Sequence, residues 1–176
     1  MTPLSIVRRL LIAFLPFAFA SCASLKTENM IPDQETFGAT YAQTVALDVG
    51  GGSAGVQWFS GTIKPEDLEE AIVQSLEKSK LFSEVVEPEQ ADYILGVNLT
   101  YAGSHPGFTM KAWVNVEWDL AARTAAESKW KEELKAEAKA TVGEAFNGTS
   151  RQYRALEKAA KLNIEEAFAK IAELGL

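Results

Sequence analysis

The sequence predicts an α+β fold, a two-layer sandwich in which a mostly antiparallel sheet of about five strands carries two helices on one face. Apolar residues recur at every second position through much of residues 93–142, which is the period of a half-buried strand. Two other segments, one near residue 70 and one at the end of the chain, instead have the three- and four-residue spacing of amphipathic helices. The predicted order of elements is β-α-β-β-β-β-α.

The first strand and the first helix are predicted from composition and from a helix-start signal. The segment from Tyr41 to Val49 contains TVALDV, which has the β-branched and apolar content of a buried strand. A helix is expected from residue 65 to about residue 80. Pro65 suits the first helical position, and acidic residues follow it in the first turn.

Alternation predicts the next strands. A short strand is expected in FSEVVE, residues 82–87, and a second over residues 93–101, with Tyr101 on the same face as the leucines and valine before it. The tetrapeptide SHPG at 104–107 is typical of a turn. A long strand then follows from Phe108 to Leu120.

The last strand and the last helix close the domain. Residues 130–142 have the composition of a helix, but their apolar residues share one parity and their lysines and glutamates the other, which favours a strand. Helical placement would leave no single apolar face. Thr149 or Ser150 is expected to cap a final helix that ends at about Leu174.

The chain begins with an export signal. Arg8 and Arg9 precede an apolar run over residues 10–20, which is too short to cross a bilayer and is typical of a secretory signal peptide. Two cleavage sites are open. Ala18-Phe19-Ala20 fits ordinary signal peptidase, whereas Ala20-Ser21-Cys22 resembles the lipobox of bacterial lipoproteins, with Phe19 where that pattern usually has an aliphatic residue.

Cys22 is the only cysteine of the chain, so it forms no internal disulfide. Its small polar flanks offer no core to bury it, and the lipobox interpretation makes it the site of lipid attachment. The residue after it is alanine rather than aspartate, which in similar lipoproteins favours the outer membrane. The predicted organisation is a signal peptide over 1–21, a lipidated N-terminus and flexible tether over 22–38, and a single α/β domain over 39–176.

The sequence offers no catalytic centre, metal site or cofactor site. Gly50, Gly52 and Gly55 spell G-x-G-x-x-G, but nine residues separate the last glycine from the predicted helix, so a flexible loop is expected instead of a dinucleotide site. The single histidine, His105, lies in a predicted turn, and one histidine with one cysteine does not make a usual zinc site. A formal charge of −7, which becomes −9 once Arg8 and Arg9 are removed, argues against nucleic-acid binding.

Three aromatic residues are candidates for binding a partner. Trp58 and Phe59 lie in a glycine-flanked segment, and Trp113 falls on the polar parity of its strand. Exposed aromatic residues among polar groups are enriched at protein interfaces. The alternative is structural: Trp58 and Phe59 would plug the end of the core, and Trp113 would pack under a loop or a lipid tail.

The segments LFSEVV, ADYILGVNL and GFTMKAWVNVEWDL resemble those of small Gram-negative envelope lipoproteins. That group includes domains like the N-terminal domain of the Tol–Pal propeller protein and auxiliary lipoproteins of lipid-transport ABC systems. The resemblance implies a non-catalytic accessory, anchored to the periplasmic face of the outer membrane, that binds a larger envelope protein. A periplasmic lipid or small-molecule carrier is the alternative function.

Overall fold

The computed structural model describes residues 24–51 and 63–176, and its elements follow the predicted order. The signal peptide, Cys22, Trp58 and Phe59 lie outside the described residues. The strands are β1 (Tyr41–Gly51), β2 (Phe82–Val85), β3 (Tyr93–His105), β4 (Met110–Ala122) and β5 (Ser128–Ala140). The helices are α1 (Pro65–Ser79) and α2 (Gly148–Ala172), and a single 3-10 turn at Thr27–Asn29 precedes β1.

The five strands form one mixed sheet in the order β2-β1-β3-β4-β5. The strand β1 is parallel to both of its neighbours, whereas β3, β4 and β5 form an antiparallel meander. Because β1 and β2 are parallel, the chain between them has to cross over the sheet, and α1 makes that crossing. The α+β class and the predicted element order are confirmed.

The buried face of the sheet follows the predicted alternation. Every second residue of β4 from Met110 to Leu120 is buried, and β5 buries Leu134 and the alanines after it while its lysines stay exposed. Helix α1 packs on β1 and β2, and α2 packs on β4 and β5. Both helices contribute to one apolar core, in which Trp118 and Phe168 are the largest fully buried side chains.

Several element boundaries differ by a few residues from those that the sequence predicts. Strand β3 runs on to His105, and β4 begins at Met110, so the turn occupies residues 106–109 and Phe108 is 91% exposed within it. Helix α2 begins earlier than expected. Its N-cap is Asn147 rather than Thr149 or Ser150, because the Oδ1 of Asn147 accepts a hydrogen bond from the backbone N–H of Ser150 at 2.7 Å.

A β-bulge in β3 corrects the predicted placement of Tyr101. The pairing of β3 with β4 shifts between Leu99 and Tyr101, so the alternation changes phase there. Leu99 and Ala102 are both buried, and Tyr101 lies on the opposite face. Alternation counted along the whole strand puts Tyr101 on the wrong face, because the extra residue at the bulge exchanges the two faces for the residues after it.

The segment at 24–38 is not the flexible tether that its composition predicts. It lies along the helical layer, where the turn at Thr27–Asn29 contacts both α1 and α2 and Met30 is fully buried. Phe37 makes an edge-to-face contact with Phe168, with ring centroids 5.4 Å apart. A polar segment is therefore held by a few apolar side chains that fill the groove between the helices.

The buried carboxylate of Glu157 on α2 binds this segment. Glu157 is 2% exposed, and its carboxylate accepts hydrogen bonds from the backbone N–H of Lys26 at 2.8 Å and from the Nδ2 of Asn29 at 2.9 Å. Arg154 lies 3.3 Å from the same carboxylate. Burial raises the pKa of Glu157, although the hydrogen bonds and the Arg154 charge act in the opposite direction.

A second buried polar group joins α2 to the sheet. Asn163 is 1% exposed, and its Oδ1 accepts a hydrogen bond from the Nε1 of Trp118 at 2.8 Å. Its Nδ2 donates to the carbonyl oxygens of Val114 and Leu134 at 3.2 and 2.9 Å. The amide thus uses both its acceptor and its donors inside the core.

We expect the substitution Asn163→Ala to lower the free energy of unfolding by about 3 kcal/mol, because it leaves the Trp118 N–H buried without its acceptor. Urea denaturation of the mature domain measures the effect. The adjacent substitution Leu162→Ala is the control, since Leu162 is 45% exposed and its truncation should cost well under half as much. Equal losses for the two variants would contradict the role given to Asn163.

We expect Glu157 to make stability depend on pH. A carboxyl group whose pKa is higher in the folded protein than its ordinary value of 4.5 stabilises the fold below that value, and the contribution is lost as pH rises through the folded pKa. The stability of the parent protein relative to Glu157→Gln should therefore be greatest near pH 4 and fall toward pH 7. Urea denaturation across this range tests it, with exposed Glu166→Gln as the control. A difference that grows with pH would refute the assignment.

Candidate functional site

The face of the sheet opposite the helices is the largest polar surface that the strands build. We call it the open face and define it by residues on β3, β4 and β5: Thr100, Tyr101, Trp113, Asn115, Glu117, Lys131, Glu133, Lys135 and Glu137. Neighbouring strands place these side chains opposite one another, for example Trp113 opposite Glu137 and Asn115 opposite Lys135. Such cross-strand neighbours interact directly.

Two aromatic residues lie side by side on the open face near the turn at 106–109. Trp113 is half-buried, and its Nε1 donates a hydrogen bond to Glu137 at 3.0 Å. Its partner on β3 is Gly103, where an added Cβ would lie 2.4 Å from the hydroxyl oxygen of Tyr101. The Tyr101 ring therefore covers Gly103, and glycine at that position is what leaves room for the ring beside Trp113.

Charged residues of alternating sign continue along the open face, on β4 and β5, away from the aromatic pair. Lys131 lies 2.6 Å from Glu117 and 3.2 Å from Asp119, and these carboxylates raise the pKa of Lys131. Glu133 accepts hydrogen bonds from Lys135 and Thr100, which lower the pKa of its carboxyl group. Both shifts favour the charged form, so Lys131 and Glu133 are held as paired charges.

A shallow polar concavity of about 290 Å³ lies on the same face, where β1, β3, β4 and β5 come together. It is lined by Asp48, Gly96, Asn98, Glu117, Asp119 and Lys131. Its lysine is already paired with two of its carboxylates. The concavity lies further along the strands than the aromatic pair, toward the end of the sheet at which β4 finishes.

Of the glycine motif only Gly50 lies within the described residues, and Gly52 and Gly55 lie outside them. Gly50 has open space where a side chain would point, so nothing approaches it closely. The constrained residue is Gly51, outside the motif positions, which has a φ of +91° and would bring a Cβ within 2.7 Å of the backbone of Leu99. Gly51 ends β1, and glycine is needed there because of its positive φ and its close approach to β3.

The histidine, metal binding and membrane-spanning helices are the remaining features. His105 is exposed at the last position of β3. Within residues 24–51 and 63–176, no three histidine, cysteine, aspartate or glutamate side chains are grouped so that they could hold a metal ion. None of the helices in those ranges is both long and apolar enough to span a bilayer.

Trp113 is the sequence-predicted aromatic residue that the structure places. It lies on the open face with the parity that its strand predicts. Sequence reasoning missed Tyr101 because of the bulge, and it missed the exposed pair Phe108 and Phe146. The latter lie in the turn before β4 and in the loop before α2. A phenylalanine within a glycine- and proline-containing turn was the available signal for Phe108.

No protein-family model matches the chain, and no curated protein matches its sequence. Solved structures do share its fold. Protein XCC0632 from Xanthomonas campestris, of the family model DUF330, is 13% identical with a TM-score of 0.62, and the match covers 82% of this chain and 91% of that one. PelC from Paraburkholderia phytofirmans, described as a dodecamer, is 14% identical with a TM-score of 0.52, and the match covers 77% of this chain and 92% of that one.

A third solved structure, the hypothetical protein CT253 from Chlamydia trachomatis, is 8% identical with a TM-score of 0.50, and the match covers 74% of this chain and 98% of that one. At such low identity these likenesses show the fold alone. Each match covers at least 91% of the solved chain, so these proteins of Gram-negative bacteria have the fold over nearly their whole solved length.

Proposed function

We propose that this protein is a lipoprotein, anchored through acylated Cys22 to the periplasmic face of the outer membrane, that binds another envelope protein as a non-catalytic accessory. The observation that carries the proposal is the open face, where Trp113 and Tyr101 lie side by side among paired charges. The export signal and the lone cysteine support the anchor. Solved structures with this fold from Gram-negative bacteria are compatible with an envelope location.

The open face suits a protein partner for energetic reasons. Half-exposed aromatic residues have apolar area left to bury, and aromatic side chains account for much of the binding energy at protein interfaces. The surrounding ion pairs are exposed, so each contributes little to stability on its own. They can instead select a partner with complementary charges and exclude others.

The accessory role is the one implied by the sequence resemblance to auxiliary lipoproteins of envelope assemblies. The Tol–Pal propeller domain and the ABC-transport lipoproteins are accessories to larger assemblies, and the same role is proposed for this chain. The open face contains paired charges beside half-exposed aromatic residues, which is consistent with a binding role. The partner is therefore expected to be a protein of the envelope rather than a substrate.

We expect Cys22→Ser to release the protein from membranes, because the variant has no thiol to acylate and signal peptidase would cut after Ala20 instead. Fractionation of cells that express parent and variant at equal levels measures the change, and sucrose-gradient separation of the two membranes locates the parent. The substitution Ser24→Ala, two residues away, is the control. A variant that stays fully membrane-bound would refute the anchor.

We expect a photo-crosslinking amino acid at position 113 to capture a specific envelope protein in intact cells. The same group at Glu166, an exposed position of α2, is the matched control because it lies on the opposite layer. Capture at 113 and not at 166, identified by mass spectrometry, is the expected result. Equal capture at both positions, or recovery of the protein with lipid alone, would contradict the proposal, and lipid alone would favour a carrier.

A further inference from the structure

Three exposed apolar side chains lie at one end of the sheet. We call this the hairpin end and define it by the turn at 106–109, the loop at 141–147 and the first turn of α2. Phe108 is 91% exposed, Phe146 is 89% exposed and Val142 is 41% exposed. Met110 pairs with Ala140, so the turn that carries Phe108 is next to the loop that carries the other two.

The loop before α2 is held in place by its own contacts. The backbone carbonyls of Ala145 and Phe146 accept hydrogen bonds from Arg151, which fixes the loop onto the first turn of α2. Glu144 binds Lys158 and the backbone N–H of Thr141, which closes the loop at its other side. Side chains as large as phenylalanine are seldom so exposed in a protein that contacts only water, and such patches mark interaction sites.

The N-terminal segment runs toward this end. Its contacts with α2 move steadily toward the helix N-terminus as the chain is followed backwards, from Phe37 against Phe168, to Asp33 against Lys161, to Lys26 against Glu157. Helix α2 begins at the hairpin end, directly after the loop that contains Phe146. Followed backwards, the described segment therefore runs toward the hairpin end.

The length of chain before Lys26 limits how far the anchor lies from the domain. Lys26 follows Cys22 by four positions, and an extended chain of that length spans at most about 14 Å. Glu157, which holds the N–H of Lys26, lies about 14 Å along α2 from the start of the helix. A lipid on Cys22 would therefore hold the domain against the bilayer, with the hairpin end within reach of it.

Charge separates the two ends of the sheet. At the hairpin end, residues 105–111 contain Lys111 and no acidic residue, and Glu144 of the loop at 141–147 is paired with Lys158. Residues 86–92 at the other end contain Glu87, Glu89 and Asp92. A bilayer that contains anionic lipid repels the second end and tolerates the first. Phenylalanine is among the apolar residues that membrane-surface segments bury at the boundary between headgroups and acyl chains.

From these observations we propose that the hairpin end is a membrane-contact surface, and that Phe108 and Phe146 insert into the bilayer beside the lipid anchor. This inference rests on the proposed anchoring at Cys22. Each phenylalanine adds a binding increment too small to hold the protein alone, but together they fix the orientation of an anchored domain.

Spin labelling of the acylated full-length protein in vesicles of phosphatidylethanolamine and phosphatidylglycerol tests the proposal. Thr109→Cys carries a label beside Phe108 without removing it, and Ala125→Cys carries the control label in the turn between β4 and β5, at the far end. The accessibility of each label to oxygen and to a water-soluble nickel chelate reports its depth. We expect the ratio of oxygen to nickel accessibility to be several-fold higher at 109 than at 125.

A second variant tests the role of the phenylalanines. Phe108→Ser with Phe146→Ser, added to Thr109→Cys, should return the label to the accessibility found at 125. Both side chains are exposed, so the fold should be unaffected. Equal accessibility at 109 and 125 in the parent, or a depth unchanged by the two serines, would overturn the proposal. Flotation of the unlabelled protein with the vesicles tests the anchor separately, so failure of the anchor and failure of the contact surface are distinguishable.

Discussion

The buried amide of Asn163 is the constraint on which the arrangement of the two layers depends. It accepts a hydrogen bond from Trp118 and donates to carbonyls of β4 and β5, so α2 has one rotation and one position along the sheet at which all three bonds form. Apolar packing alone tolerates small shifts of a helix, but an unpaired buried amide is costly. That position of α2 in turn places Glu157 under the N-terminal segment and Phe146 at the hairpin end.

Much of the fold could be predicted because its signals are local. The alternation along β4 and β5 is a property of consecutive residues. Residues 128–140 have a helical composition but form a strand, because a strand buries all of their apolar residues on one face. The insertion of β1 between β2 and β3 could not be predicted in the same way. Each strand pattern is compatible with several partners, and the choice depends on contacts between residues distant in sequence.

The candidate site was predicted only in part, for a comparable reason. The parity of Trp113 holds because β4 pairs regularly around it, whereas Tyr101 follows a bulge that no local pattern reveals. The N-terminal segment is a further case. Its composition is that of a linker, and its order depends on a groove between α1 and α2 and on a carboxylate 131 residues away from Lys26. A sequence window contains neither partner.

Under the proposed anchoring at Cys22, the docked segment also limits where a partner can meet the open face. A long tether would let the domain reach partners far from the bilayer, whereas a short one holds it near the surface. Trp113 follows Met110 by three positions along β4, which places it about 10 Å of strand from the hairpin end. With the hairpin end against the bilayer, the plane of the open face is roughly parallel to the membrane normal. A partner that contacts Trp113 and Tyr101 would then have to present its own surface close to the membrane, which favours a protein that is itself embedded in or anchored to the same bilayer.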